Sequence, residues 1–282
     1  MVLVALVSYL GNKEREKRLE IVKKTIKDYQ SITPEFQVCV FAQGYEEDEV
    51  KQLKELNCLV EEFPPKSCSH ARNVAIEFLM KNKNTYDWML LSDDDTSIYN
   101  YYGVADFISQ LSDVPEKVHY INFHQPQVSP FKEYLINHRD FFENNFCLRI
   151  DLSHTSMNPV LIRNTDNIQN FDENLKMIDD DNFYVHSTWN ENKVYYCPTI
   201  ITKNNAPMYS GVIDYEKIEV AREYIYNTFN KVYEGKFKLS DLVNKKIEKD
   251  VINIPRRKKY NFTNKELDLR TRAKKEFKGE LF

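Results

Sequence analysis

The chain has 282 residues, enough for one large α/β domain or one domain with an appendage. Its 42% hydrophobic, 13% aromatic and 29% charged residues allow a packed core and exclude a disordered solvating chain, and its net charge is −4 at pH 7. Six glycines without a GxGxxG or GxxxxGK[ST] pattern exclude the Gly-rich phosphate loops, and five scattered cysteines without a CxxC pair argue against a zinc ribbon or disulfide framework and for a reducing, cytoplasmic setting.

Val2–Tyr9 is apolar, too short to span a bilayer, and lacks a basic flank or cleavage site, so it reads as the first buried strand. Residues 13–30 follow with Leu19, Val22, Ile26 and Tyr29 on one face, an amphipathic helix. A second β-rich run occupies 36–41, a second helix 46–56 (Val50, Leu53, Leu56), and a short strand 58–60. A helix at 69–81 turns Val74, Ala75, Phe78 and Leu79 inward and leads to an apolar run, Trp88-Met89-Leu90-Leu91. With a further strand at 118–123, this alternation predicts a mostly parallel sheet flanked by helices. Beyond about 125 the pattern loosens. Strands are expected at 158–162 and 194–201 and an amphipathic helix at 214–231, with 131–151 aromatic and irregular. No later segment is long enough to be transmembrane.

The run at 88–91 ends in Ser92-Asp93-Asp94-Asp95. A short apolar run bounded by turn residues suits a central parallel strand, and ligands of open α/β sheets bind outside the carboxyl ends of such strands. Three adjacent carboxylates repel one another, and a hard divalent cation such as Mg²⁺ or Mn²⁺ neutralises them. A second acidic cluster, Asp179-Asp180-Asp181, follows Phe171-Asp172-Glu173. Acids here also favour the first turn of a helix running toward Trp189, through the macrodipole, and both roles can hold at once. Residues 236–282 carry fifteen Lys/Arg against seven Asp/Glu, a local charge of +8 centred on Arg256-Arg257-Lys258-Lys259. Such a segment suits an anionic partner: nucleic acid or a phosphate-bearing surface.

Four patterns in order resemble the GT-A fold glycosyltransferases, in particular the family 2-like, DxD-containing enzymes. They are the strand at Val2–Tyr9 with its helix, Ser69-His70-Ala71-Arg72-Asn73 opening a helix, Leu90-Leu91-Ser92-Asp93-Asp94-Asp95, and Asn170-Phe171-Asp172-Glu173 followed by Asp179-Asp180-Asp181. The similarity covers roughly residues 1–205. It implies a GT-A (Rossmann-like) domain over 1–235, with a donor half to about 125, an acceptor half from about 126, and a helical basic extension over 236–282. It also implies a transferase that takes a sugar from a nucleoside-diphosphate sugar, expected to be a UDP-sugar, with Mn²⁺ or Mg²⁺ on the diphosphate.

Carried over residue by residue, Asp93 and Asp95 serve the metal and the donor ribose, and Asp94 faces the donor sugar or holds the loop. Arg72 bridges a phosphate or Asp93, His70 touches the donor or decorates a helix N-terminus, and Asn73 holds the loop. Asp180, with Asp179 as its neighbour, is the base that deprotonates the acceptor hydroxyl. His186 is the candidate third metal ligand, ahead of His154. Nucleotide contacts fall at Ser8 and Tyr9. The chain departs from the family at 41–45, where Gln43 stands at the usual nucleobase-binding aspartate and Tyr45 is placed to stack. The basic extension points to DNA as a partner, with a hydroxymethylated base as acceptor. The rival acceptor is a surface glycan or lipid-linked sugar. Two other classes are a sugar-phosphate nucleotidyltransferase, for which Leu10-Gly11-Asn12-Lys13 is a poor match, and a non-catalytic binding protein.

Overall fold

A computed structural model describes residues 1–11, 14–98, 102–124, 145–149, 158–166, 168–173, 194–206 and 251–254. Its centre is strand β1 (Val2–Tyr9), buried along almost its whole length. Helix α1 (Arg15–Gln30) returns the chain to β2 (Phe36–Gln43), α2 (Glu47–Lys54) to β3 (Leu59–Phe63), and α3 (Cys68–Lys81) to β4 (Trp88–Asp93). β1 pairs in parallel with β2 and β4, and β2 with β3, so β4-β1-β2-β3 form a parallel block. After β4 come β5 (Thr96–Ile98), α4 (Tyr102–Ile108), a 3-10 turn at Leu111–Asp113, β6 (Tyr120–His124), β7 (Asn145–Arg149), β8 (Val160–Arg163), β9 (Val194–Asn204) and β10 (Val251–Ile254).

The main sheet runs β10-β7-β9-β6-β8-β4-β1-β2-β3, with β5 paired to β9 off this path. β8 enters antiparallel between β4 and β6, so the two halves of the chain interleave. Arg163 at the end of β8 lies 4.4 Å from the Trp88 ring centroid and donates to the carbonyls of Val114 and Val118, fastening β8 to β4 and to the approach to β6. The parallel block is what the strand–helix alternation implies, and the mixed sheet as a whole fits the arrangement that the resemblance implies.

Side-chain alternation in β1 divides the core. Val2, Val4 and Leu6 join Val38, Val40 and Leu90 against Leu19, Val22 and Ile26 of α1. The alternate residues face α3, where Phe41 meets Phe78 edge-to-face at 5.7 Å. The ends of α1 and α3 therefore decide what surrounds the carboxyl ends of β1, β2 and β4. α3 starts cleanly because the Ser67 side chain accepts from the His70 backbone N–H at 3.1 Å.

Three strands are absent from the periodicity reading. β5 is three residues long and follows directly on the aspartates, and β7 lies in the aromatic stretch at 131–151. β10 falls inside the segment expected as a helical extension. Its Val-Ile-Asn-Ile sequence pairs antiparallel with β7, as three β-branched residues in four suit a sheet edge better than a helix. The rest of 236–282, the expected helix at 214–231, and Asp179, Asp180, His154 and His186 lie outside the described residues. Among the described residues no helix is long and apolar enough to cross a membrane.

Candidate active site at the ends of the parallel strands

A cleft of about 400 Å³ opens at the carboxyl ends of β1, β2 and β4. Val7 and Tyr9 of β1, Gln43 of β2, Asp93 to Asp95, Arg18 of α1, and the loop 65–68 leading into α3 line it. Strand register explains the assembly. Val7 pairs with Asp93 and Tyr9 with Gln43, and register partners leave one face of a sheet together.

The three aspartates have three different fates. Asp93 is half-buried. Arg72 Nη2 donates to its Oδ1 at 3.3 Å, Asn158 Nδ2 donates to its Oδ2 at 2.7 Å, and its backbone N–H donates to Asn158 Oδ1 at 2.8 Å. Asp94 turns inward, where Arg18 Nη2 donates to both its oxygens at 2.9 and 3.1 Å and Ser8 Oγ donates at 2.5 Å. The Ser8 proton being spent on Asp94, the Tyr45 hydroxyl 2.5 Å away is the donor to Ser8. Burial raises the Asp94 carboxyl to about 6 against the lowering effect of Arg18. Asp95 has no ion-pair partner among the described residues. The Thr96 hydroxyl donates to it at 3.2 Å, and its pKa is raised by burial and then by the charge of Asp93.

Asp93 and Asp95 thus offer hard oxygen ligands on the cleft wall. No group of three or more candidate ligand side chains is assembled among the described residues. Mg²⁺ and similar ions use one or two carboxylates, completing their shell with water and substrate phosphates. The donor set fits such an ion, and a cation there would relieve the mutual repulsion that raises Asp95.

Behind the cleft, the Ala71-Arg72-Asn73 turn of α3 grips the segment 171–173. Asn73 Nδ2 donates to the Phe171 carbonyl at 3.0 Å, and the Phe171 N–H donates to Asn73 Oδ1 at 2.7 Å. The Arg72 guanidinium lies 5.2 Å from the Phe171 ring centroid. Glu173 accepts from Lys66 Nζ, pairs with His70 Nδ1 at 2.9 Å, and accepts from Asn73 at 3.2 Å. The Lys66 bond, followed by that of His70, lowers Glu173 to about 2. His70 therefore faces this cluster.

Of the sequence-chosen residues, Tyr9, Gln43, Asp93 and Asp95 reach the cleft. Asp94 borders it with its carboxylate committed to Arg18 and Ser8. Ser8 is buried away from the cleft in that network, because alternation turns it to the α1 side. Arg72, expected at a phosphate or at Asp93, is buried and donates to Asp93, and Tyr45, expected to stack, packs under Ser8. Sequence reasoning missed Arg18, Lys66 and Asn158. Arg18 carried a signal: Arg15 and Arg18 continue the apolar stripe of Leu19, Val22 and Ile26 toward the helix start, where a charge needs a partner across the interface.

No protein-family model matches the sequence, and no curated protein matches it. Solved structures do share the fold. The mannosyltransferase PcManGT from Pyrobaculum calidifontis, in complex with GDP-Man and Mn²⁺, is similar with a TM-score of 0.56 at 12% identity. The match covers 84% of this chain and 65% of that one, so this chain spans a little under two thirds of the mannosyltransferase. Staphylococcus aureus TarS (TM-score 0.49, 16% identity, 85% of this chain and 46% of that one) and glucosyl-3-phosphoglycerate synthase from Mycobacterium tuberculosis (0.47, 8%, 82% and 79%) are more distant. At such identity the likeness establishes the fold, which is GT-A.

Proposed function

We propose that the chain is a metal-dependent glycosyltransferase of DxD type that moves a sugar from a nucleoside-diphosphate sugar to an acceptor hydroxyl. The observation that carries this reading is the sorting of the aspartates. Asp94 is spent on Arg18, while Asp93 and Asp95, the latter without an ion-pair partner among the described residues, face a nucleotide-sized cleft in a fold shared with a mannosyltransferase in complex with GDP-Man and Mn²⁺.

Asp93 and Asp95 would hold Mn²⁺ or Mg²⁺, which as a Lewis acid supplies stabilisation of the negative charge developing on the leaving diphosphate. Arg72 and Asn158 fix the Asp93 carboxylate so that it need not reorganise. Tyr9 and Gln43 hold the nucleoside end. Arg18 and Lys66 add positive charge at the phosphate end, and the start of α3 adds its backbone dipole. Asp180 takes the proton from the acceptor hydroxyl, with Asp179 as the alternative base, and His186 is the further ligand for the metal. The charge of +8 over 236–282 supports a polyanionic acceptor, and we assign DNA bearing a hydroxymethylated base.

Incubation with Mn²⁺ and a panel of nucleotide sugars tests the reaction. Release of free nucleoside diphosphate, abolished by a chelator, is expected; pyrophosphate chemistry would instead mark a nucleotidyltransferase. Asp180→Asn should lower turnover about a thousandfold while nucleotide binding persists. Full activity of that variant alongside an inactive Asp179→Asn would move the base to Asp179. Because β10 belongs to the sheet, the DNA reading is best tested by replacing Arg256, Arg257, Lys258 and Lys259 with alanine rather than by truncation. Absence of low-salt DNA binding by the native chain would sink it.

A further inference from the structure

Gln43 is only 3% exposed, yet it lines the cleft at the end of β2. Its amide has a defined orientation: the Lys66 backbone N–H donates to Gln43 Oε1 at 2.9 Å, and only an oxygen can accept that bond. Among the described residues Nε2 has no hydrogen-bond partner. A nearly buried side chain thus presents N–H donors to the cleft and keeps its acceptor turned away. An unmatched donor in such a place costs free energy, so it selects ligands that bring an acceptor.

Its surroundings say which part of a ligand arrives there. Tyr9, the register partner of Gln43, is 56% exposed. Its ring is backed by two glycines: a Cβ on Gly11 would come within 3.1 Å of the ring, and one on Gly44 within 3.2 Å. Gly44 sits at φ 71°, where side chains are disfavoured. An aromatic face held flat by two glycines suits a stacked base. The strand that carries the aspartates, β4, lies one strand spacing from Tyr9 on β1 and two, roughly 10 Å, from Gln43 on β2, so Gln43 sits at the end of the cleft away from the charge.

We infer that Gln43 is a specificity-determining residue that admits bases carrying a carbonyl oxygen at the edge facing it, the keto bases uracil and guanine, and disfavours the amino bases cytosine and adenine. This rests on the nucleotide-sugar reading above. Uracil O4 and guanine O6 accept from Nε2. Cytosine and adenine place an amino group at the corresponding position, and two donors then face each other. Glutamate at position 43 reverses the polarity, because one oxygen still accepts from Lys66 and the other presents an acceptor.

Calorimetric titration of the full chain with UDP, GDP, CDP and ADP in Mn²⁺ tests the inference. At least one of UDP and GDP should bind about tenfold tighter than both CDP and ADP. Gln43→Glu should lose that preference and shift toward the amino bases. CDP or ADP binding as tightly as the better keto nucleotide in the native chain would overturn the inference whether or not the variant folds. So would an unchanged ranking in a Gln43→Glu variant of native melting temperature. If nucleotides bind without keto preference, the donor-site reading stands and this assignment alone fails. If none of the four binds, both fail.

Discussion

The two faces of the sheet treat the same acidic triplet in opposite ways. On the α1 side the acid is held internally: Asp94 by Arg18 and Ser8, and Ser8 in turn by Tyr45. On the α3 side the strand ends open into the cleft, and Asp95 faces it without an ion-pair partner among the described residues. A run of identical residues therefore contains an acid held internally between two that face the cleft. The backbone alone separates them, since successive residues leaving a strand point to opposite faces.

The largest expected effect falls on the closed side. Asp94→Ala would leave the Arg18 charge without its partner. The loss should be about 3 kcal/mol in a urea denaturation series, toward the low end for a broken buried pair because Arg18 keeps some water contact. A loss below about 1 kcal/mol would mean that the closed side is not structural. Next, Asp95→Asn should cut metal-dependent release of nucleoside diphosphate by about a hundredfold, equivalent to about 2.7 kcal/mol, without lowering the melting temperature. If it unfolds the protein while Asp94→Ala does not, the two roles are reversed. Asn73→Ala removes both hydrogen bonds to the Phe171 backbone and should cost about 2 kcal/mol, read from the same denaturation midpoints.

The smallest effects are in pH dependence, and the two sites should differ in sign. Glu173 has a folded value of about 2, below its ordinary 4.5, so the stability it contributes is complete above pH 4.5 and is lost as pH falls toward 2. Asp94, about 6 against an ordinary 3.8, contributes stability that is complete below pH 3.8 and is lost as pH rises through 6. Denaturation midpoints of the native chain, compared with Glu173→Gln and Asp94→Asn across pH 2 to 7, should show the two opposite slopes. Parallel slopes would contradict the assignment.

The parallel half was legible in the sequence because its strands are continuous apolar runs and its helices carry clean stripes. The end of β4 was legible for the same reason: apolar residues stop abruptly at charge. What each aspartate touches was not legible, because Arg18 and Asn158 approach from 76 and 65 residues away. Arg72 shows the limit most clearly. Its position before the strand allowed a contact to a phosphate or to Asp93; the structure shows the bond to Asp93, and the Phe171 ring on its other side is what no local pattern announces. The strands at 96–98, 145–149 and 251–254 are too short or too mixed in composition for periodicity to reveal, and long-range pairing defines them.

The insertion of β8 between β4 and β6 has a consequence for synthesis. β4 carries the aspartates, and its outer edge is covered by residues about 70 positions later in the chain; Asn158, which holds Asp93, emerges with them. At ~5–20 residues per second, several seconds separate the appearance of β4 from that of its neighbour. During that interval a nascent chain with β1 to β4 paired would present an apolar strand edge open to any other strand. Folding of the parallel half on the ribosome must therefore wait for the rest of the chain or be shielded until it arrives.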